Sequence, residues 1–186
     1  IGLWAAVAAA RLPGDFVECG VNAGFMASSV MAYLDWNRLD RDFWLLDTFS
    51  GIDPAQVSEA ERAGGILDKN EKLLRNGFYV TDVEAVRRNF AEWPRARIVP
   101  GSIPGNLPRV DAQRVAFLHI DLNCAPPEVA ALEHFWDRLS PGAPVLLDDY
   151  AYRGYGAQKL AMDGLAARLG VAIASLPTGQ GLLLRP

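Results

Sequence analysis

The chain has 186 residues, 51% of them hydrophobic, with 22 acidic against 18 basic side chains and a net charge of −4. That length predicts one domain over 1–186, and the apolar fraction is enough for a core and too high for disorder. The mild acidity, with basic pairs such as Arg87-Arg88 reading as solvated helix faces, argues against a nucleic-acid surface, and the longest N-terminal apolar run, residues 3–10, is too short to span a bilayer.

In chain order, residues 3–11 predict an Ala-rich helix stopped by Pro13-Gly14, and 15–19 a short strand. Gly20 to Gly24 is a small-residue turn, 25–35 has helical spacing, and 43–46 is a second strand closing on Asp47. Strand, glycine turn, helix and strand in succession are the unit of a parallel sheet. Residues 50–80, punctuated by Gly51, Pro54, Gly64-Gly65, Asn70 and Gly77, read as a lid or binding loop with one short helix. A helix over 82–93 follows, capped by Asp82. Strands are expected at 97–100, 115–120 and 144–147, with helices at 127–139 and 156–169. Residues 171–176 and 181–185, joined by a Pro-Thr-Gly-Gln turn, predict an antiparallel hairpin. The result is an α/β layout of five β/α units and a hairpin, its apolar strands covered on both faces.

Ligands of an open α/β sheet bind beyond the carboxyl ends of its strands. The residues there are Gly20, Asp47, Gly101-Ser102, Asp121 and Asp148-Asp149. The first turn, Glu18 to Gly24, reads E-x-G-x-x-x-G. Its glycines would let a ligand approach the backbone, although a plain tight turn explains them too. Asp47 is placed to accept the ribose hydroxyls of an adenosine; a turn cap is the alternative. Asp121, Asp148 and Asp149 follow adjacent strands and would repel one another unless a hard divalent cation relieved them. Mg²⁺ suits that set, Mn²⁺ and Ca²⁺ stay open, and so does a reading of one or two of these acids as caps. Two cysteines without metal-ligand spacing, Cys19 and Cys124, fit a reducing cytoplasm. A start at Ile1 without Met fits a chain that continues upstream.

The strings Gly14-Asp-Phe-Val-Glu-Cys-Gly20, Leu46-Asp-Thr-Phe-Ser-Gly51, Phe117-Leu-His-Ile-Asp121 and Leu139-Ser-Pro-Gly142 through Asp148-Asp-Tyr150 occur in this order. Together they resemble the macrocin O-methyltransferase family, which methylates sugar hydroxyls in antibiotic biosynthesis, over nearly the whole chain. The resemblance implies a Rossmann-like class I methyltransferase fold, a mostly parallel seven-stranded sheet with helices on both faces. It implies S-adenosylmethionine as methyl donor, Mg²⁺ on Asp121, Asp148 and Asp149, Asp47 on the ribose and the Gly20 turn under the methionine part. The expected cofactor-facing set is Glu18, Gly20, Asn22, Gly24, Asp47, Thr48, Gly101, Ser102 and Asp121. The acceptor would be a hydroxyl of a small molecule or sugar. Neither nucleic acid nor membrane is expected as a partner, and exposed apolar faces near the start leave room for a homo-oligomer.

Two departures stand out. Where relatives often read D-x-D-x-Y after the fourth strand, this chain has Asn123 and Ala125, and it lacks the longer N-terminal region of many members. Asn123 can donate or accept a hydrogen bond but carries no charge. No general base is visible. His119 shares a strand face with Asp121 and reads as either a cavity residue or a buried structural one; His134 reads as structural. Asp53, Lys69, Lys72 and Tyr79 in the 50–80 segment are unranked, and Tyr150 and Tyr152 either contact substrate or pack. Gly179-Gln180-Gly181 reads as a hairpin turn, and Trp36, Trp44, Trp93 and Trp136 as packing residues. Two other functions remain open: a non-catalytic S-adenosylmethionine-binding protein, and a nicotinamide-dependent oxidoreductase, which would want G-x-G-x-x-G after the first strand.

Overall fold

Apolar runs bounded by glycine and proline turns become seven strands in the computed structural model, which describes residues 1–186. The strands are β1 (Asp15–Cys19), β2 (Phe43–Asp47), β3 (Ala96–Pro100), β4 (Val115–Ile120), β5 (Pro144–Leu147), β6 (Ala174–Ser175) and β7 (Gly181–Leu184). They form one sheet in the order β3-β2-β1-β4-β5-β7-β6. The first five are parallel, and β7 runs antiparallel to both β5 and β6. The hairpin thus folds back so that its second strand joins the sheet. Only two residues of the expected strand over 171–176 pair, and they lie exposed at the edge.

Seven helices flank the sheet: α1 (Gly2–Ala9), α2 (Phe25–Tyr33), α3 (Glu59–Ala63), α4 (Ile66–Arg75), α5 (Val83–Asn89), α6 (Ala125–Phe135) and α7 (Gly156–Leu169). Period-two alternation sends neighbouring strand residues to opposite cores. Phe16, Phe43, Leu45, Phe117 and Leu146 pack with Ala5, Ala6, Val30 and Met31 of α1 and α2. Val17, Leu46, Leu118, Ile120 and Leu147 pack with Leu132, Phe135, Met162 and Leu165 of α6 and α7. Burial on both sides is why apolar residues point to both faces of the central strands. None of the helices is long and apolar enough to cross a membrane.

Residues 50–80 are more ordered than their composition implies. Ser58 and Glu61 form a capping box that starts α3, and Gly65, at φ +78°, separates it from α4. Asn70, which reads as loop punctuation, is buried instead and accepts the Ile52 amide at 2.8 Å. Ile66 and Leu67 pack on a small cluster of Ile52, Val57 and Cys124, which seats the segment against the end of the sheet. Two helices therefore stand where one was expected.

Candidate active site

The switch in strand order between β1 and β4 opens a crevice at the carboxyl end of the sheet. It becomes a cavity of about 570 Å³, within the usual range for small-molecule sites, roofed by residues of the 51–56 loop, α4 and the 78–80 segment. Glu18, Gly20, Asn22, Asp47 and Thr48 line its β1–β2 side, Gly101 and Ser102 its β3 end, and Asp121, Asp148 and Asp149 its β4–β5 end. Of the expected site residues only Gly24 lies elsewhere. It caps α2 at φ +89°, where a Cβ would sit 2.3 Å from the Phe90 ring; packing of α5 explains this glycine, not a ligand.

The remaining β1–β2 residues have structural duties that sequence patterns do not show. Gly20 (φ +92°) is required because a Cβ would lie 1.7 Å from the Asp121 carbonyl oxygen. The close approach is the end of β4, fastened by the Asp121 amide donating to the Cys19 carbonyl at 2.8 Å. Asp47 clasps the turn: Oδ2 accepts the Val21 and Asn22 amides at 2.7 and 2.8 Å, and Oδ1 accepts the Phe49 amide at 2.7 Å. Only Oδ1 keeps capacity for a strong further donor, so this carboxylate is a turn clasp with room for one ligand hydroxyl. The Thr48 hydroxyl donates to the Gly51 carbonyl at 2.5 Å. Asn22, itself left-handed at φ +49°, ties down the 78–80 segment by donating to the Phe78 carbonyl (3.0 Å) and accepting the Val80 amide (2.8 Å). At the β3 end, the Ser102 hydroxyl and the Ala55 amide hold the Asp53 carboxyl below its usual range.

Parallel register sets Glu18 beside His119 on one sheet face. Glu18 is 2% exposed, and its Oε1 lies 3.1 Å from His119 Nδ1, while its buried Oε2 has no partner. Burial raises the Glu18 carboxyl, opposed by His119. The other imidazole nitrogen is 3.8 Å from Asp148 Oδ1, which also accepts from Gln180 Nε2 at 2.7 Å. Burial alone would lower His119, but the two carboxylates facing it, Asp148 and Glu18, outweigh that and push it up to about 10. His119 thus lies between two acids that favour its protonated form. Gln180, which reads only as a turn residue, is part of the cavity through its bond to Asp148.

The three aspartates share one cavity but are held apart. Asp148 faces His119, and that neighbouring imidazole, helped by the Gln180 bond, holds its carboxyl below the usual range. Asp121 is pushed up to about 7 by burial and then by Asp148, and its Oδ1 accepts from Asn123 Nδ2 at 3.1 Å. Asp149 rises to about 6 through burial and Asp148, with Lys69 pulling it down. No three His, Cys, Asp or Glu side chains stand close enough to form a ready metal cage. The donor chemistry nevertheless suits a hard divalent ion, because Asp121, Asp148 and Asp149 offer carboxylate oxygens and burial, with repulsion from Asp148, disfavours ionisation of Asp121 and Asp149.

The 50–80 segment contributes Asp53, Lys69 and Tyr79 to the cavity, but not Lys72. Burial and the surrounding carboxylates push Tyr79 up to about 12. Tyr155, just before α7, is a lining residue that sequence reasoning missed. No motif marks it; only its spacing after Asp148-Asp149 could have pointed to it. Tyr150 is buried, bonded to Asp163 and Lys159, and Tyr152 is exposed against Gly179; neither lines the cavity. His134 packs edge-on against Phe135, away from the cavity.

A family model for macrocin-O-methyltransferase (TylF) matches residues 3–163, most of the chain. The chain belongs to the macrocin O-methyltransferase family. Among relatives of this macrocin-family chain, a tetracenomycin-C rhamnosyl 4′-O-methyltransferase of Streptomyces olivaceus is 33% identical over 154 residues, 78% of this chain and 56% of that protein. A mycinamicin III 3″-O-methyltransferase of Micromonospora griseorubida is 29% identical over 150 residues, 75% of this chain and 56% of that protein. The chain thus spans little more than half the length of these relatives. The solved O-methyltransferase NovP superposes with a TM-score of 0.82 at 23% identity, covering 99% of this chain and 77% of NovP. The calicheamicin methyltransferase CalS11 does so with a TM-score of 0.69 at 18% identity, covering 98% and 77%. The macrocin-family chain therefore has the class I methyltransferase fold, with its seven-stranded, mostly parallel sheet.

Proposed function

We propose that this chain is an S-adenosylmethionine-dependent O-methyltransferase acting on a hydroxyl of a sugar or other small molecule, assisted by Mg²⁺. One observation carries the reading: a single cavity joins the β1 turn and the unpaired, buried Glu18 Oε2 to three carboxylates on β4 and β5. The relatives named above as sugar O-methyltransferases support it, as does a Bacillus cereus O-methyltransferase of the same fold solved in complex with S-adenosylhomocysteine.

In this reading the methionine part of the donor lies on the Gly20 turn, and Glu18 Oε2 accepts from its ammonium group, which removes the cost of an unpaired buried acceptor. Asp47 Oδ1 accepts from one ribose hydroxyl. The adenine lies toward Gly101 and Ser102, with Thr48 and Asn22 shaping the walls. Asp121 borders both donor and acceptor. Asp121, Asp148 and Asp149 would hold the cation, His119 and Gln180 keep Asp148 ionised and oriented, and Asn123 orients Asp121. A divalent cation in that place supplies Lewis-acid polarisation of an acceptor hydroxyl. The chain's own contribution is alignment: the carboxylates accept a hydrogen bond from the acceptor hydroxyl and aim its lone pair at the sulfonium methyl. The oxygen–carbon bond forms as the sulfur–carbon bond breaks, releasing S-adenosylhomocysteine and the hydroxyl proton.

Calorimetric titration of S-adenosylhomocysteine, with Mg²⁺ and then with EDTA, tests both parts. Asp149→Asn is the cleanest variant, because the Asp149 carboxylate makes no hydrogen bond to the protein. S-adenosylhomocysteine is expected to bind the folded wild type and the variant, and direct Mg²⁺ titration to give heat only with the wild type. A folded wild type that does not bind S-adenosylhomocysteine overturns the donor reading. Equal Mg²⁺ heats for wild type and variant overturn the metal assignment. Transfer of tritiated methyl from S-adenosylmethionine to a panel of glycosides would then identify the acceptor.

A further inference from the structure

Three cavity residues outside the expected site form one continuous hydrogen-bonded chain. Lys69 Nζ, from α4 in the roof, donates to the Tyr155 hydroxyl and lies 4.2 Å above the centre of the same ring. The Tyr155 hydroxyl donates to Asn123 Oδ1 at 2.9 Å. Asn123 Nδ2 donates to Asp121 Oδ1 at 3.1 Å. Donors and acceptors alternate correctly from end to end, with no conflict at any atom. Asn123 holds its place through a left-handed backbone, φ +60°, which asparagine tolerates better than most residues.

The amide at position 123 is what makes the chain work. An amide accepts from Tyr155 with its oxygen and donates to Asp121 with its nitrogen. A carboxylate there could accept from Tyr155 but could not donate to Asp121, and it would add charge beside Asp121, Asp148 and Asp149. The phenol suits the middle position, because burial and neighbouring carboxylates hold it in its protonated, donating form. Lys69 is the only lysine or arginine side chain lining the cavity, so the chain ends on its one side-chain cation besides His119.

We propose that Lys69, Tyr155 and Asn123 are positioning residues that fasten the roof helix α4 to the loop carrying Asp121, so that closure of the roof and orientation of that carboxylate are a single event. Their effect on transfer rests on the methyl-transfer reading above; the fastening itself does not.

Hydrogen-exchange mass spectrometry on the intact chain tests it, with peptides covering 66–75 compared with peptides from β1 and β4. Tyr155→Phe keeps the ring but removes both bonds, and is expected to speed exchange in 66–75 about tenfold, the scale of one to two net hydrogen bonds, leaving the sheet unchanged. Asn123→Ala is the sharper variant, because Asn123 makes no hydrogen bond to α4; it is expected to loosen 66–75 through Tyr155. Asn123→Asp, which still accepts from Tyr155, is expected to restore wild-type protection there. Wild-type exchange in both Tyr155→Phe and Asn123→Ala would overturn the proposal, as would loosening by Asn123→Ala that Asn123→Asp fails to rescue. S-adenosylhomocysteine titrated into the same samples keeps the two readings separate: binding without any change in exchange sinks the fastening alone, and exchange changes without binding sink the donor reading alone.

Discussion

Gly20→Ala probes the point where the β1 turn and the end of β4 meet. The residue sits at φ +92°, which costs an L side chain about 1–2 kcal/mol. Its new Cβ would start 1.7 Å from the Asp121 carbonyl oxygen, well inside the 3.0 Å that Cβ atoms essentially never breach. That carbonyl cannot retreat freely, since the neighbouring Asp121 amide donates to the Cys19 carbonyl at 2.8 Å. Overpacking of this kind adds about 1–3 kcal/mol, so a total of roughly 2–5 kcal/mol is expected. For a domain of this size that lowers Tm by roughly 4–20 °C, at about 2–4 °C per kcal/mol. Gly77→Ala is the matched control: its φ is +74°, but nothing lies within 4 Å of the added Cβ. It carries the backbone cost alone and should lower Tm by about 2–8 °C, less than Gly20→Ala by the overpacking contribution. Thermal melts of the two variants side by side decide the matter. If they fall together, the close approach at Gly20 is not what demands glycine there, and the explanation given for this turn is wrong.

Asp47→Asn is expected to destabilise the chain by about 2–4 kcal/mol in urea unfolding, because one of the two accepting oxygens becomes an NH2 donor and leaves either the Val21 and Asn22 amides or the Phe49 amide facing it; an unchanged midpoint would show that the clasp contributes nothing. Stability in EDTA should rise as pH is lowered from about 8 toward 5.5. Asp121 and Asp149 titrate near 7 and 6 in the folded chain, above their ordinary values, so the folded state takes up protons over that window. His119, raised from 6.5 to about 10, adds stability that is full below about 6.5 and is lost progressively as pH climbs from there through about 10, so it too favours the folded state on acidification from about pH 8. A Tm that falls steadily over the same acidification would contradict that electrostatic picture.

The order of strands and helices, and the positions where strands end, are written in local patterns. Apolar runs of four to six residues, glycine and proline breaks and period-two alternation need only neighbours in sequence to be legible. That is why Asp47, Asp121, Asp148 and Asp149 are legible as strand-end residues from the residues around them. The 50–80 segment was harder to read, because Gly64-Gly65 and Asn70 carry the composition of a loop while a capping box and a buried amide hold two helices in place.

The duty of each strand-end residue comes from the fold, because it is met by partners far away in sequence. Gly20 answers to the Asp121 carbonyl, Gly24 to Phe90, and Asp148 to His119 and Gln180. Lys69 reaches Tyr155 across 86 positions. By itself the sequence determined the sheet, its family and the acids at its edge, since hydrophobic patterning and turn chemistry are local. Pairing of buried polar groups depends on which loops the sheet brings face to face, and no local pattern encodes it.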